Sequence, residues 1–192
     1  MSTEIPLFPL KTVLFPGGPL TLRIFEPRYL DMVANCLRGN NRFGVVAISR
    51  GAEVGLAETF DVGTLAEIID WHQDGAMLGI VAIGRESFRL ETKSRRPDGL
   101  YVGEVELRDR EPRQPLKQSH AALPGLLRSL LEPLSSYRAI ETYYDDAVWL
   151  GYRLTEVLPL ALPLKQELLE MTDSHARLDR IAASLPPSAP RA

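Results

Sequence analysis

The chain has 192 residues and a net charge of −3 at neutral pH, with a hydrophobic fraction of 45% and a charged fraction of 24%. These are the values of an ordinary globular protein, and a chain of this length can bury a core without disulfides or structural metal ions. The acidic balance and the scattered basic residues argue against nucleic-acid binding. The single cysteine, Cys36, excludes an intrachain disulfide and a multi-cysteine zinc site.

The N-terminal segment has neither the basic start nor the apolar core of a signal peptide. No uncharged apolar run approaches the length of a membrane span. We therefore expect a cytoplasmic protein that does not interact with membranes.

Short extended segments separated by glycine and proline make up the first 110 residues. Leu20, Leu22 and Ile24 alternate with polar residues, which is typical of a half-buried strand. Because few helical crossovers fit between the segments, we expect a mostly antiparallel, twisted β-domain that is barrel-like or sandwich-like. Further strands are predicted at 43–48, 62–71, 77–83, 88–91 and 101–107, with turns at Asp74-Gly75 and Pro97-Asp98-Gly99.

One helix interrupts these strands. Pro27 suits the first helical position, Glu26 complements the helix dipole there, and Gly39 can end the helix. Its apolar face is predicted to consist of Tyr29, Met32, Val33, Cys36 and Leu37.

The second part of the chain has a helical period. Leucines between 123 and 134 form the apolar stripe of a first helix, which Pro133 should end. A second helix is predicted around 144–158 and a third after Pro163. A fourth is predicted after an N-cap at Asp173 or Ser174. We therefore expect an α+β protein with a β-domain at 1–110, a linker at 111–118, a helical bundle at 119–185 and a flexible tail at 186–192.

Several segments, taken in order, resemble the N-terminal substrate-binding domain family of Lon proteases. The most specific are Ile24-Phe25-Glu26-Pro27-Arg28-Tyr29 and Val62-Gly63-Thr64-Leu65-Ala66, and the resemblance extends from about residue 4 to about residue 181. It implies a twisted β-domain followed by a helical bundle that engages unfolded or tagged polypeptides. Domains of this family also act as interaction scaffolds.

Motifs of the ATPase and protease that accompany this domain in full-length Lon are absent from the sequence. It contains no G-x-x-x-x-G-K-[ST], and none of its four lysines adjoins a nucleophile motif. No serine lies in a G-x-S-x-G elbow. We expect a non-catalytic recognition module without a cofactor, which could act with a separate protease or chaperone. A scaffold for one folded partner and a hydrolase of unrecognised type are the alternatives, and the sequence carries no signal for the oligomeric state.

Five residues are candidates for peptide contact: Phe8, Phe15, Arg28, Tyr29 and Trp71. Arg28 and Tyr29 could clamp a peptide carboxylate or stack on an aromatic side chain. Helix-start chemistry favours a structural interpretation, in which Glu26 caps the helix, Tyr29 packs inward and Arg28 ties the helix to the sheet.

Two proline-punctuated apolar stretches, 7–10 and 13–16, could run partly along the surface, because prolines make poor central strands. Burial in the β-domain is favoured for most of their side chains. The expected binding place is a groove between the β-domain and the helical part.

Metal-binding and nucleophilic chemistry have little support in the sequence. His72, His120 and His175 are far apart and form no H-x-x-x-H pair, so no metal site is expected. Cys36 lies on an apolar helix face, which favours a buried structural thiol. The acidic pairs Asp145-Asp146 and Glu58 with Asp61 are interpreted as solvated surface.

Overall fold

The computed structural model describes residues 3–53, 57–75 and 77–185, as a mixed α/β fold with one six-stranded sheet and five α-helices. One helix lies within the strand region and the other four follow the last strand, as the sequence predicts. The strands are β1 (Thr3–Leu10), β2 (Pro19–Ile24), β3 (Arg42–Gly51), β4 (Ala57–Asp74), β5 (Met77–Arg95) and β6 (Tyr101–Leu107). The helices are α1 (Pro27–Arg38), α2 (Leu123–Leu131), α3 (Ala147–Val157), α4 (Leu162–Glu170) and α5 (Ser174–Ser184).

The sheet has the order β2-β5-β4-β3-β1-β6, and β5 also pairs with β6. The pairing of β1 with β3 is parallel and the others are antiparallel, so the mostly antiparallel arrangement is confirmed. Each of β1, β3, β4, β5 and β6 therefore has neighbours on both sides, whereas β2 pairs with β5 alone among the described residues. A barrel-like or sandwich-like packing of this sheet stays a prediction.

The prediction of separate strands at 77–83 and 88–91 is wrong, because β5 runs without interruption from Met77 to Arg95. Gly84, which lies between the two predicted segments, marks a close approach of two backbones. A Cβ atom at this position would lie 2.1 Å from the carbonyl oxygen of Phe15. The amide of Gly17 donates to Gly84 O at 2.7 Å, and the amide of Gly84 donates to Gly18 O at 2.9 Å. The absence of a side chain at Gly84 thus allows the 14–18 segment to pack directly against β5.

The favoured burial of the 7–10 stretch is confirmed, and the alternative of a path along the surface is excluded. β1 lies between β3 and β6, and Leu7, Phe8 and Leu10 are buried. Its prolines are tolerated because the pairing changes side along the strand: residues 3–7 pair with β6, and residues 7–10 pair with β3. Pro6 lies in the part of β1 that pairs with β6 alone, and Pro9 lies in the part that pairs with β3 alone. Each proline therefore has one unpaired side, where a missing amide hydrogen breaks no hydrogen bond between strands.

The predicted termini of α1, α2 and α5 agree closely with the structure. α1 has Pro27 in its first turn and Gly39 as its C-cap, and its predicted apolar face packs on the main β-domain core. α2 ends at Leu131, two residues before Pro133. Asp173 is the N-cap of α5 and accepts hydrogen bonds from the amides of His175 and Ala176 at 2.9 and 3.0 Å.

α3 is the central helix of the second half. α2, α4 and α5 each contact it, and leucines of all four helices share one hydrophobic cluster. None of the described helices has the length and hydrophobicity needed to span a membrane.

The predicted linker makes ordered contacts with the start of α3. Gln114 O accepts a hydrogen bond from the amide of Ala147 at 2.7 Å, and the amide of Leu116 donates to Asp145 O at 3.2 Å. Pro115 forms an isolated bridge with Asp146. The division into two domains stays a prediction, and the predicted flexible tail at 186–192 lies outside the described residues.

Candidate functional site in the groove between sheet and helices

A cavity of about 760 Å³ lies between β4 and β5 on one side and residues 136–152 on the other. The loop at 16–19 and the polar segment at 108–113 also border it. The sheet and the helical half therefore enclose a groove, in the place where the sequence predicts one. We call this cavity the groove.

Apolar side chains form one part of its lining. Ile69 of β4 faces the groove with 54% of its surface exposed, beside the half-buried Val81 and Ile83 of β5. The pairing register of β4 with β5 shifts between Ile68 and Asp70, so Ile69 lies at a β-bulge. Ala66 and Ile68 are buried in the core, whereas Glu67 and Ile69 line the groove. Ile69 therefore faces the groove by the ordinary alternation of the strand, next to the bulge.

Charged side chains form an edge of the groove beside this apolar part. Glu67 accepts hydrogen bonds from Arg42 Nη2 at 2.8 Å and from Arg85 Nη2 at 3.0 Å. The hydrogen bond from Arg85, together with that from Arg42, holds the pKa of Glu67 below its ordinary value. The carboxylate is thus kept ionised between two guanidinium groups.

Aromatic rings support the opposite wall. The guanidinium of Arg113 lies 3.8 Å from the centroid of the Tyr143 ring, and Tyr143 meets Trp149 edge-on at a centroid distance of 6.3 Å. All three residues line the groove. This wall combines an aromatic surface with a positive charge.

A buried ion pair attaches this wall to the end of the helical half. Arg177 of α5 is fully buried and donates to Glu111 Oε2 at 3.1 Å and to the carbonyl oxygen of Leu168 at 2.8 Å. The hydroxyl of Tyr152 donates to the same Glu111 carboxylate at 2.6 Å. Burial raises the pKa of Tyr152, so its hydroxyl stays protonated.

A second buried cluster joins the 16–18 loop to α3. Arg153 donates to the carbonyl oxygen of Pro16 at 2.9 Å and to Glu156 Oε1 at 2.8 Å, and Tyr137 donates to Glu156 Oε2 at 3.0 Å. A Cβ atom at position 18 would lie 1.9 Å from Glu156 Oε1, so Gly18 permits this contact. Burial raises the pKa of Glu156 to about 7.

Four of the five predicted peptide-contact residues are buried. Phe8 stacks on Tyr29 at a centroid distance of 4.0 Å, and Phe15 is fully buried. Arg28 is buried and donates to Gly99 O at 2.8 Å. Trp71 is 54% exposed but does not line the groove. Peptide contact by these residues stays a prediction, and the structural interpretation of Arg28 and Tyr29 agrees with their contacts.

One detail of that structural interpretation is wrong. Glu26 occupies the N-cap position of α1, but its side chain makes no capping hydrogen bond. Its carboxylate instead accepts from Nε of Arg28 at 3.0 Å. The nearby guanidinium competes successfully with the helix amides for the carboxylate.

Sequence reasoning missed the groove residues Ile69, Arg42, Glu67 and Arg85. The doublet Ile68-Ile69, which breaks the strand alternation, was an available signal for the bulge. The two arginine partners of Glu67 lie on two other strands, β3 and β5, and no local sequence pattern predicts this pairing.

Three other sequence interpretations have clear outcomes. Cys36 is buried and its thiol donates to Arg42 O at 3.2 Å, as expected of a structural thiol. The interpretation of Asp146 as solvated surface is wrong, because it is buried and accepts a hydrogen bond from the amide of Val148. His120 and His175, distant in sequence, have stacked rings 5.8 Å apart, with His120 Nε2 2.7 Å from Asp179 Oδ1.

Comparison with known proteins identifies the family. Residues 4–185 match the model of the ATP-dependent protease La (LON) substrate-binding domain. The crystal structure of a Lon N-terminal domain protein from Xanthomonas campestris has a TM-score of 0.80 and 34% identity, and the match covers 96% of this chain and 99% of that one.

Two curated relatives match over almost the whole chain. Protein cereblon from Xenopus tropicalis is 27% identical over 95% of this chain and 41% of its own length. Lon protease from Erwinia amylovora is 25% identical over 95% of this chain and 24% of its own length. The chain thus spans less than half the length of these relatives. Because the family model covers residues 4–185 and the matching crystal structure is covered almost completely, this chain belongs to the LON substrate-binding domain family.

Proposed function

We propose that this chain is a non-catalytic recognition module that binds unfolded or tagged polypeptide segments in the groove and presents them to a separate protease or chaperone. The observation that carries the proposal is the exposed Ile69 on a concave surface of a chain that belongs to a substrate-binding domain family. Unfolded chains differ from folded ones in exposing apolar side chains, so a partly exposed apolar groove is the complement they need.

The charged edge of the groove supports binding and disfavours catalysis. A general acid or base works best with a pKa near the operating pH, but Arg42 and Arg85 lower the pKa of Glu67 away from neutrality. Glu156, whose pKa is raised to about 7, does not line the groove. The paired charges instead offer polar edges to a polypeptide backbone and its side chains.

The groove is tested by replacing its most exposed apolar side chain. We expect Ile69→Ser to weaken binding of a reduced, carboxymethylated unfolded protein by roughly tenfold, because about 1.5 kcal/mol of apolar contact is lost. Fluorescence anisotropy with a labelled unfolded protein measures the dissociation constant.

Leu107→Ser is the matched control. Leu107 is 53% exposed on β6, close to the exposure of Ile69, but it does not line the groove. Its replacement should leave the affinity within about twofold of the wild-type value, since it removes similar apolar surface elsewhere. Equal loss in both variants, or no binding by the wild-type protein, would refute binding in the groove.

The two alternative functions, a scaffold for one folded partner and a hydrolase, predict different results when the same purified protein is tested for binding and for turnover. A scaffold for one folded partner would retain a single stoichiometric protein from cell extract and ignore unfolded test proteins. A hydrolase would turn over the bound polypeptide, which mass spectrometry of the recovered test protein detects. Intact recovery of a saturably bound unfolded protein supports the recognition module.

A further inference from the structure

We propose that the open edge of β2 captures an extended segment of the client by strand addition, with main-chain hydrogen bonds supplementing the groove. This inference rests on the proposed function, because it names how the same client is held. The occupant is an extended polypeptide with apolar residues at every second position.

The edge is open because β2 ends the strand order. Among the described residues it pairs with β5 only, with Leu20 opposite Ala82 and Thr21 opposite Val81. In an antiparallel pair, residues that exchange hydrogen bonds with the partner alternate with residues whose N–H and C=O point away from it. The phase of this alternation decides which groups face outward.

A hydrogen bond just before β2 fixes that phase. The amide of Gly84 donates to Gly18 O at 2.9 Å, in the same register as the ladder, so position 18 belongs to the hydrogen-bonded set. Leu20 and Leu22 follow in that set at intervals of two. Pro19 and Thr21 then belong to the outward set. A proline there is consistent, because an outward-facing position needs no amide hydrogen for the ladder.

Thr21 therefore presents its main-chain N–H and C=O at the open edge. Neither group makes a backbone hydrogen bond outside the ladder with any part of the chain that the structure describes. The partial charges on this edge, a positive amide hydrogen and negative carbonyl oxygens at Pro19 and Thr21, are complementary to those of another extended backbone. Strand addition satisfies them through the client backbone and requires of the client sequence only the alternation of apolar residues, which suits a module that accepts many clients.

Side chains of β2 specify the alternation in the client. Leu20 and Ile24 are buried on the core face, and Leu22 on the same face is half-buried at the edge. An apolar side chain of an added strand would cover Leu22 and extend the core. On the other face Thr21 is exposed, and Phe25 directly after β2 is 64% exposed. Pro19 also lines the groove, so the edge and the groove form one continuous surface.

The experiment removes one outward main-chain donor and leaves the ladder intact. Thr21→Pro deletes the amide hydrogen at the open edge, while Thr21→Val keeps it and loses only the hydroxyl. The test ligand is a 12-residue peptide of alternating valine and threonine with terminal lysines. We expect Thr21→Pro to weaken its binding by roughly tenfold or more. Thr21→Val should bind within about twofold of wild type, and circular dichroism should show both variants folded.

Amide hydrogen exchange of the wild-type protein gives a second readout that needs no variant. The Thr21 amide should exchange rapidly in the free protein and become protected when the peptide saturates it, while the Leu20 and Leu22 amides are protected in both states. If the peptide binds but Thr21 stays unprotected and Thr21→Pro binds normally, strand addition is excluded and groove binding stands. If neither the peptide nor an unfolded protein binds at all, the proposed function itself fails.

Discussion

Arg177 and Arg180 lie three residues apart on α5 in opposite environments. The guanidinium of Arg177 is fully buried, pairs with Glu111 and lies 4.4 Å from the centroid of the Tyr152 ring. It also donates to the carbonyl oxygens of Leu168 and Met171 at the end of α4. Arg180 pairs with Glu167 at 3.0 Å, with both side chains about half exposed. The same residue type is structural at one position and solvated at the other.

Replacing each arginine by methionine should separate these two environments. Arg177→Met removes the charge partner of the Glu111 carboxylate, which keeps only the Tyr152 hydroxyl as a donor, and leaves two carbonyl oxygens at the end of α4 without the Arg177 donor. We expect the free energy of unfolding to fall by about 3 to 5 kcal/mol. Arg180→Met removes a surface pair and should cost less than about 1 kcal/mol. Urea unfolding followed by circular dichroism measures both, and similar losses in the two variants would contradict the buried role of Arg177.

At the scale of elements, the start of α3 shows how a side chain determines a helix boundary. Asp146 is the N-cap, and its carboxylate accepts from the amides of Val148 at 3.0 Å and Gln114 at 3.2 Å. Asp145, the preceding residue, is exposed. The sequence-predicted helix began near Tyr144, but α3 begins at Ala147 because Asp146 satisfies the free amide of the first turn.

The two adjacent aspartates provide a test of this cap. We expect Asp146→Ala to lower the free energy of unfolding by about 1 to 2 kcal/mol, since it removes a buried acceptor of two amides. Asp145→Ala should change it by less than about 0.5 kcal/mol, as exposed substitutions usually do. Thermal unfolding of both variants measures the difference. A larger loss at Asp145 would show that the cap is assigned to the wrong residue.

At the scale of the whole molecule, the Arg153–Glu156–Tyr137 cluster connects the sheet to the helices. Arg153 and Glu156 of α3 contact the 16–18 loop, which docks on β5 through Gly84. Burial raises the pKa of Glu156 from its ordinary value of 4.5 to about 7, although Arg153 opposes the shift. The junction between the two halves therefore titrates near neutrality.

This titration should make stability depend on pH. Between about 4.5 and 7 the folded protein retains a proton on Glu156 that the unfolded chain releases. The free energy of unfolding therefore falls as pH rises through this window, by about 1 to 3 kcal/mol in total, and the decline stops above about 7. We expect Glu156→Gln to match wild type near pH 5 and to be more stable near pH 8.

Urea unfolding of both proteins at several pH values measures this effect. The difference between the two curves isolates the contribution of Glu156, because all other titratable groups are the same in both proteins. Parallel curves would show that Glu156 has an ordinary pKa in the folded state. Glu156 does not line the groove, so the loss of stability and the loss of client binding can be measured separately.

The sequence by itself determined the local features of this protein. Proline at the first turn of α1, Gly39 at its end and the Asp173 cap of α5 act within a few residues, so local chemistry suffices to predict them. The alternation in β2 and the turn at Gly99 are local in the same sense. Ordered motifs along the chain were also enough to identify the family.

Only the tertiary structure decided which residues meet across the sheet and which meet between the sheet and the helices. Gly84 in the middle of β5 forms backbone hydrogen bonds with Gly17 and Gly18, far earlier in the chain, and Glu67 pairs with arginines from two other strands. Arg28, Tyr29 and Phe8 were predicted as contacts for a peptide and are packed in the core. Burial is set by the sum of long-range contacts, which no single segment encodes. For that reason the sequence predicted a groove, whereas Ile69 within it and the open edge of β2 beside it came from the packed strands.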